Sequence, residues 1–436
     1  MTDLKAVAVR VFRETLAAID IPATLRRKLA RAGSHIHCGE VTVDLAEFDR
    51  ICAIVYGKAS AAMAEGLLEV LAPDFRAEGI LVGTTPPPRA LPGFQSFVAG
   101  HPVPTAGSFA AGRAILDSLE KCDERTLVFF LLSGGGSALV EQPLDPDVTL
   151  EDFQTLNRLL VTCGAPIEDV NAVRTHLSAV KGGRLAAAAP RAMKITLGVS
   201  DVPEGRESAL ASGPTLPDPT TVEDACRVVD QYGLLGKLPA SIREKLARTA
   251  LLETPKPGDP AFARAHFRIL LGLHDLFHHA HRAAETVGCV TFCDNSTDDW
   301  PLGKAADYLF DQLARFKQAH PGRQVALVAD GEVSSPVTGD GVGGRNAAFV
   351  LYCVEKIAGK PLAVLSAGTD GIDGSSPAAG AVADGASLSR ARAAGLDPAE
   401  FFRRSDSYTF FKALGDAIET GPTGNNLRDL RILLAP

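Results

Sequence analysis

The chain has no Cys-x-x-Cys pair, no surplus of positive charge and no apolar run that could span a bilayer, and each absence removes a class of function. Its 8 cysteines are scattered through 436 residues, which fits reduced thiols better than a disulfide framework or a zinc site. Lys and Arg number 44 against 52 Asp and Glu, a formal net charge of −8. A nucleic-acid partner wants a basic face, so none is expected, and any anionic ligand must be held by local positive charge. No apolar stretch approaches the roughly 20 residues of a membrane helix. Residues 1–20 carry charges at Asp3, Lys5, Arg10, Arg13 and Glu14, unlike a signal peptide, so the expectation is a cytoplasmic protein with no membrane partner. Two familiar nucleotide motifs are missing too. No Gly-Lys-Ser/Thr follows the main glycine cluster, which excludes a Walker A loop, and the third glycine of a GxGxxG would fall at Leu139.

What is present is an ordinary globular composition, 46% hydrophobic and 22% charged, in a chain long enough that two domains are expected. The organising stretch is 126–140, TLVFFLLSGGGSALV. Residues 127–132 are an unbroken apolar run of strand length, which predicts a strand buried on both faces of a parallel sheet. It stops at Ser133-Gly134-Gly135-Gly136-Ser137. Three glycines free the backbone to take positive φ and turn successive N–H groups towards an anion, while the serines add hydroxyls. The stretch predicts a phosphate or carboxylate cradle at the carboxyl end of a strand; the plainer reading is a tight turn.

Other strand ends repeat the pattern. Residues 51–56 predict a strand that ends at Gly57-Lys58-Ala59-Ser60 and continues as an Ala-rich helix to Leu71. Lys58 then stands near a helix N-terminus, where the macrodipole disfavours a cation, so either a ligand offsets that charge or the side chain reaches water. A short strand at 79–83 precedes a stiff proline-rich loop containing Gly100-His101-Pro102, in which His101 either reaches a ligand or lies exposed. Residues 171–185 predict one helix with Arg174, Ser178 and Lys181 on a single stripe at i, i+4 and i+7. Two cations there without acidic partners at i+4 point to anion contact. Strands at 194–200, 324–329 and 363–367 run into Asp201, Asp330-Gly331-Glu332 and Gly368-Thr369-Asp370. A proline-rich loop at 202–221 leads to Thr221 and Asp224, a capping box that opens a further helix. His274, His278 and His281 share one helix face but lack the HExxH motif, so they read as surface rather than as a metal site.

The segment 253–260, ETPKPGDP, has the composition of a linker. It predicts domains at 1–252 and 265–436 joined by a linker at 253–264. Ligands in parallel α/β sheets bind outside the carboxyl ends of strands, so the strand ends in both halves predict an active site in a cleft between two α/β domains. A phosphate cradle, several cations and several acidic strand ends, without a nucleophile and histidine signature, suit phosphoryl transfer.

Along nearly the whole chain, the motifs Gly57-Lys58-Ala59, Gly100-His101-Pro102, 132–138, 171–185, Ser200-Asp201, Ala211-Ser212-Gly213-Pro214, 343–346 and 368–374 occur in order. Together they resemble the glycerate 2-kinases with a carboxyl-terminal MOFRL domain, some of which are labelled hydroxypyruvate reductases. The resemblance implies a first domain built on a Rossmann-like three-layer parallel sheet and a smaller MOFRL-type α/β domain. It implies phosphorylation of the 2-hydroxyl of (D-)glycerate to 2-phosphoglycerate, with ATP as co-substrate and Mg2+ as the divalent cation, and it leaves a homodimer open. Carried onto this chain, it makes Lys58, Asp201 and Asp370 the expected catalytic residues, the two aspartates also holding the metal. Lys58, His101, Ser133 and Arg345 are expected at the substrate. Ser133, Gly134, Gly135, Gly136, Ser137, Arg174, Lys181, Asp330, Glu332 and Asn346 are expected at the nucleotide or its phosphates. The chain departs from the family at Asp330-Gly331-Glu332, where Gly-Gly-Glu is usual, and at Ala347-Ala348, where a Gln-Glu-like pair is usual. Two rivals fit less well. A hydroxypyruvate reductase would want a dinucleotide fingerprint with an acidic residue about 20 positions on, and a non-catalytic anion- or nucleotide-binding protein would not need the acidic strand ends.

Overall fold

Apolar runs of strand length alternate with helical segments through residues 50–271, and that alternation dictates a parallel sheet. The computed structural model describes residues 3–202, 205–247 and 251–436; residues 203 and 204 of the proline-rich loop lie outside it. Strands β1 (Arg50–Tyr56), β2 (Glu78–Gly83), β3 (Phe94–Val98), β4 (Thr126–Ser133), β5 (Met193–Val199) and β6 (Ala265–Leu271) form one sheet. Their order is β3-β2-β1-β4-β5-β6, with every pairing parallel. Every residue of β4 is buried, as its unbroken apolar run requires. Chain order reverses between β1 and β4, and open α/β sheets receive ligands at the carboxyl side of such a switch point. Cys52, Ile54 and Tyr56 of β1 pack with Ala111 and Ile115 of the helix Ala106–Leu119. The capping box at Thr221 is present: Asp224 N–H donates to Thr221 Oγ1 (3.2 Å), and Thr221 N–H donates to Asp224 Oδ2 (3.0 Å).

A second six-stranded sheet contains β7 (Val290–Asp294), β8 (Val325–Asp330), β9 (Ala363–Gly368), β10 (Gly380–Asp384), β11 (Ala417–Ile418) and β12 (Asp429–Ala435), in the order β7-β8-β12-β9-β10-β11. Only β7 and β8 pair in parallel; β12, buried along its whole length, lies antiparallel to both of its neighbours. The strand-end rule for parallel sheets therefore applies fully to the first sheet alone. A small antiparallel sheet of Ala30–Ala32, His35–Cys38 and Val41–Asp44 is an addition that periodicity did not predict.

The chain divides into two compact units, Ile21–Leu271 and Met1–Asp20 with Gly272–Pro436. This corrects the expected boundaries at both ends. The supposed linker at 253–264 is bound into the first unit, where Asp218 N–H donates to Pro255 O (3.0 Å) and Lys194 N–H to Arg264 O (2.8 Å). It leads into β6, the edge strand of the first sheet. The first helix, Leu4–Ala18, buries Ala8, Val11 and Phe12 and belongs with the second sheet, its Lys5 Nζ lying 2.7 Å from Asp416 Oδ1. Helical periodicity shows that a face is apolar but not which sheet covers it. Among the described residues no helix is long and apolar enough to cross a membrane.

Candidate active site

Register places Tyr56 beside Leu132, so Gly57 and Ser133 follow side by side at the switch point. Gly57 has φ +125°, and a Cβ there would collide with Ser133 Oγ, so only glycine permits this approach. Lys58 N–H donates to Gly134 O (3.0 Å), and Ala59 N–H donates to Ser133 Oγ (3.0 Å). The helix Ser60–Leu71 has no side-chain cap from Ala59. The neighbouring strand supplies the acceptor instead, which makes the fully buried Ser133 a brace for the helix start. Gly135 has φ +82°. A Cβ on it would stand 3.1 Å from His101 Cδ2 and 3.4 Å from both His101 Nε2 and Lys58 Cγ. The exposed His101 and the half-buried Lys58, from the loops after β3 and β1, thus converge on the middle of the glycine turn. Asp201 lies two residues past Val199, the register partner of Ser133, and shares that edge of the sheet.

The loop at 211–214 closes over the turn. A Cβ on Gly136 would stand 2.8 Å from Ala211 Cβ, so that position also needs glycine. Ala211 (φ 51°) and Ser212 (φ 60°) are successive left-handed residues, each costing about 1–2 kcal/mol relative to an ordinary backbone. Such strain persists only where packing over-determines it, and here it brings Ser212 to the turn. Ser137 Oγ is 2.8 Å from Ser212 Oγ, and Ser212 Oγ lies 3.1 Å from Asn171 Oδ1.

The expected cationic stripe does not form. The helix carrying Arg174 is Ile167–Leu177, and Ser178 is already extended (φ −107°, ψ 137°). The three residues instead gather around Glu141, just past the glycine turn. Lys181 Nζ lies 2.7 Å from Glu141 Oε2, Ser178 Oγ donates to Glu141 Oε1 (2.5 Å), and Arg174, whose Nε donates to Asn157 Oδ1 (3.1 Å), feels the Glu141 charge. Lys181 is 1% exposed, so it is half of a buried ion pair and not a phosphate ligand. Its partner is 40 residues away in sequence, beyond any i+4 search. Burial pushes the Lys181 ammonium below its usual range even against the pull of Glu141. Lys181→Met is expected to destabilise the fold by about 3–5 kcal/mol, because Glu141 is left buried without a cation. Adding Glu141→Leu should recover most of that loss, and a single variant with a wild-type denaturation midpoint would refute the assignment.

In the second unit, Asp330 ends β8 fully buried, and neither carboxylate oxygen has a hydrogen-bond partner. Arg428 Nη1 stands 3.8 Å away, while Arg428 Nη2 donates to Asp298 Oδ1 (2.5 Å), which also accepts from Glu332 N–H (2.9 Å). Arg431, itself fully buried, donates to the carbonyls of Asp330 and Gly331. Arg345 Nε meets Asp429 Oδ2 (2.5 Å) and its Nη2 meets Glu332 Oε1 (2.8 Å). Asp370 Oδ1 accepts from Ile372 N–H (3.1 Å), and a Cβ on Gly368 would stand 3.0 Å from Asp370 Oδ1 and 3.3 Å from Asp429 Oδ1. Asp370, Asp429, Arg345 and Glu332 are therefore one neighbourhood. Asn346 is spent inside the unit: its Nδ2 donates to Asp373 (3.4 Å) and its Oδ1 accepts from Ser366 Oγ (2.6 Å). Asp373 in turn caps the helix Arg345–Lys356, accepting the N–H groups of Asn346 (3.0 Å) and Ala347 (2.8 Å). The expected nucleotide role passes from Asn346 to structure, and Asp330 is shut away from solvent.

A family described as a domain of unknown function, DUF4147, matches residues 7–247, and the MOFRL family matches residues 325–429. D-glycerate 2-kinase of Thermotoga maritima is 33% identical over 432 residues, 98% of each chain. The crystal structure of glycerate kinase from Thermotoga maritima matches with a TM-score of 0.83 and 32% identity over 99% of each chain. The chain belongs to the glycerate 2-kinase family. A protein of Agrobacterium vitis with a provisional hydroxypyruvate reductase name is 38% identical over 394 residues, 88% of this chain and 87% of that one, so both names occur among relatives of this glycerate 2-kinase family member.

Sequence reasoning did not single out Asn171 and Ser212 at the site of this family member, nor Asp298, Asp373, Arg428, Asp429 and Arg431. One signal was available, since Arg428, Asp429 and Arg431 are charges in and beside a strand that is otherwise apolar to Ala435. Burial pushes Asp330 and Asp373 up to about 7, above an ordinary 3.8. The folded protein then keeps protons that the unfolded chain releases above about pH 4, so stability is expected to fall as pH rises from about 4 to about 7 and to level off beyond. Asp330→Asn should flatten that slope in thermal midpoints measured across the range. An unchanged slope would show that Asp330 is ionised in the fold.

Proposed function

We propose that this family member is an ATP-dependent kinase that phosphorylates the 2-hydroxyl of D-glycerate, acting in the cytoplasm. The observation that carries the reading is the convergence of Lys58 and His101 on Gly135 at the switch point of the first sheet. A glycine turn flanked by a lysine and a histidine suits a substrate that brings a carboxylate and receives a phosphoryl group. In this reading Lys58 neutralises charge at the reacting group, the amides of Gly134 to Gly136 hold an anionic oxygen, and His101 borders the substrate. Asp201 and Asp370 are the carboxylates assigned to this chemistry, one of them to accept the hydroxyl proton. Arg345 and Glu332, paired with each other at 2.8 Å, mark the nucleotide or substrate side of the second unit.

Magnesium takes hard oxygen donors, usually one or two carboxylates beside the nucleotide phosphates. Among the described residues no group of three or more His, Cys, Asp or Glu could hold a metal. A carboxylate such as Asp201 or Asp370 would therefore hold the ion only together with the phosphates, as this chemistry allows. When bound, magnesium neutralises phosphate charge.

A reductase is disfavoured by the same switch point. The turn after β1 lacks GxGxxG, and Gly83-Thr84-Thr85 at the end of β2 offers no acid to a dinucleotide ribose. Purified protein is expected to release ADP when given glycerate, ATP and magnesium. Oxidation of NADH with hydroxypyruvate, and no ADP release, would overturn the reading. Gly135→Val should lower glycerate affinity at least tenfold, about 1.4 kcal/mol, because a β-branched residue resists φ +82° and would press on His101. Unaltered affinity in a folded variant would reduce the stretch to a turn.

A further inference from the structure

Three side chains run in series behind the glycine turn. Ser137 Oγ meets Ser212 Oγ at 2.8 Å, and Ser212 Oγ donates to Asn171 Oδ1 at 3.1 Å. A serine hydroxyl has one proton to give and lone pairs with which to receive. Ser212 is 1% exposed, and its one proton is spent on Asn171. It can then only accept from Ser137. The proton of Ser137 is spent in turn, so this half-buried hydroxyl offers lone pairs alone on its open side. An acceptor with no proton left repels an anion and takes a donor. This inverts the role expected of Ser137 in an anion cradle.

We propose that Ser137 accepts a hydrogen bond from the glycerate hydroxyl that is not phosphorylated, and that Asn171 is the positioning residue that fixes this polarity through Ser212. The proposal rests on the glycerate reading of the site. The turn then presents amide donors for the carboxylate beside one acceptor for a hydroxyl. A ligand that keeps the carboxylate and lacks the second hydroxyl loses that contact, and the site discriminates against it. Lactate is such a ligand.

The test is calorimetric titration of glycerate and lactate, without nucleotide, into wild type, Ser137→Ala, Asn171→Leu and Asn171→Asp, each checked for native circular dichroism. Wild type is expected to prefer glycerate at least tenfold. Ser137→Ala and Asn171→Leu should lose most of that preference, while Asn171→Asp, which accepts but cannot donate, should keep it. Both ligands are carboxylates, so the charge added by Asp cancels in the ratio. Ribose hydroxyls offer the same chemistry, so ATP and 2′,3′-dideoxy-ATP are titrated alongside. The proposal is overturned if wild type shows no preference, if Ser137→Ala retains it, if Asn171→Asp behaves like Asn171→Leu, or if the lost discrimination falls on the nucleotide pair. If wild type prefers glycerate yet releases no ADP with ATP, the kinase reading fails and the serine relay stands.

Discussion

Lys58→Ala is expected to lower glycerate-dependent ADP release by about a hundredfold to a thousandfold while leaving the thermal midpoint nearly unchanged. The two expectations separate because different parts of the residue do different work. The backbone N–H of Lys58 donates to Gly134 O (3.0 Å) and ties β1 to the turn, and alanine keeps that bond. The side chain, half-buried with its Cγ against Gly135, is the part that alanine removes. A cation just ahead of the helix Ser60–Leu71 opposes the positive end of that helix, so the helix start does not depend on this charge. The loss should therefore appear in turnover and not in folding. Lys58→Arg should recover only part of the rate, since a planar guanidinium beside His101 cannot take the position of a compact ammonium. Wild-type turnover in a folded Lys58→Ala protein would remove the central support for the kinase reading.

Asp201→Asn and Asp370→Asn are each expected to lower turnover by at least about a hundredfold, the range for removing a general base or a charged ligand group. Asparagine separates charge from shape. At Asp370 the bond from Ile372 N–H (3.1 Å) survives the exchange, so a residue that merely shaped the turn would tolerate it. Asp201 follows β5 at the same sheet edge as the glycine turn, across β4 from the end of β1. Turnover measured against magnesium concentration distinguishes the roles: a variant rescued by excess metal lost a metal contact, and one that is not rescued lost the proton acceptor. Retention of wild-type turnover by both variants at every magnesium concentration would end the two-aspartate proposal.

Much of the first unit is legible from local chemistry. The apolar run of β4, the glycine turn after it, the Gly57-Lys58 end of β1 and the Thr221 capping box each depend on a few successive residues, and each is where the sequence predicts it. Where the reading failed, partners were remote. Lys181 looked like an anion ligand because Glu141 is 40 residues away, and the helix that should have carried it ends at Leu177. Asn346 looked like a nucleotide contact because its partners Asp373 and Ser366 come from other segments. The linker at 253–264 had the right composition, but its carbonyls are taken up by residues 218 and 194.

The amino-acid sequence by itself determined the α/β class, the buried central strand, the glycine turn and the family, because periodicity, backbone freedom and motif order are properties of short stretches and their succession; of the three glycines of that turn only Gly135 takes a positive φ. Only the tertiary structure decided that the first helix joins the second sheet, that the last strand enters that sheet antiparallel, and that Asn171 and Ser212 stand behind Ser137. Those are choices among partners equally apolar or equally polar along the chain, and they are made by which surfaces and hydrogen bonds can be satisfied at once in three dimensions.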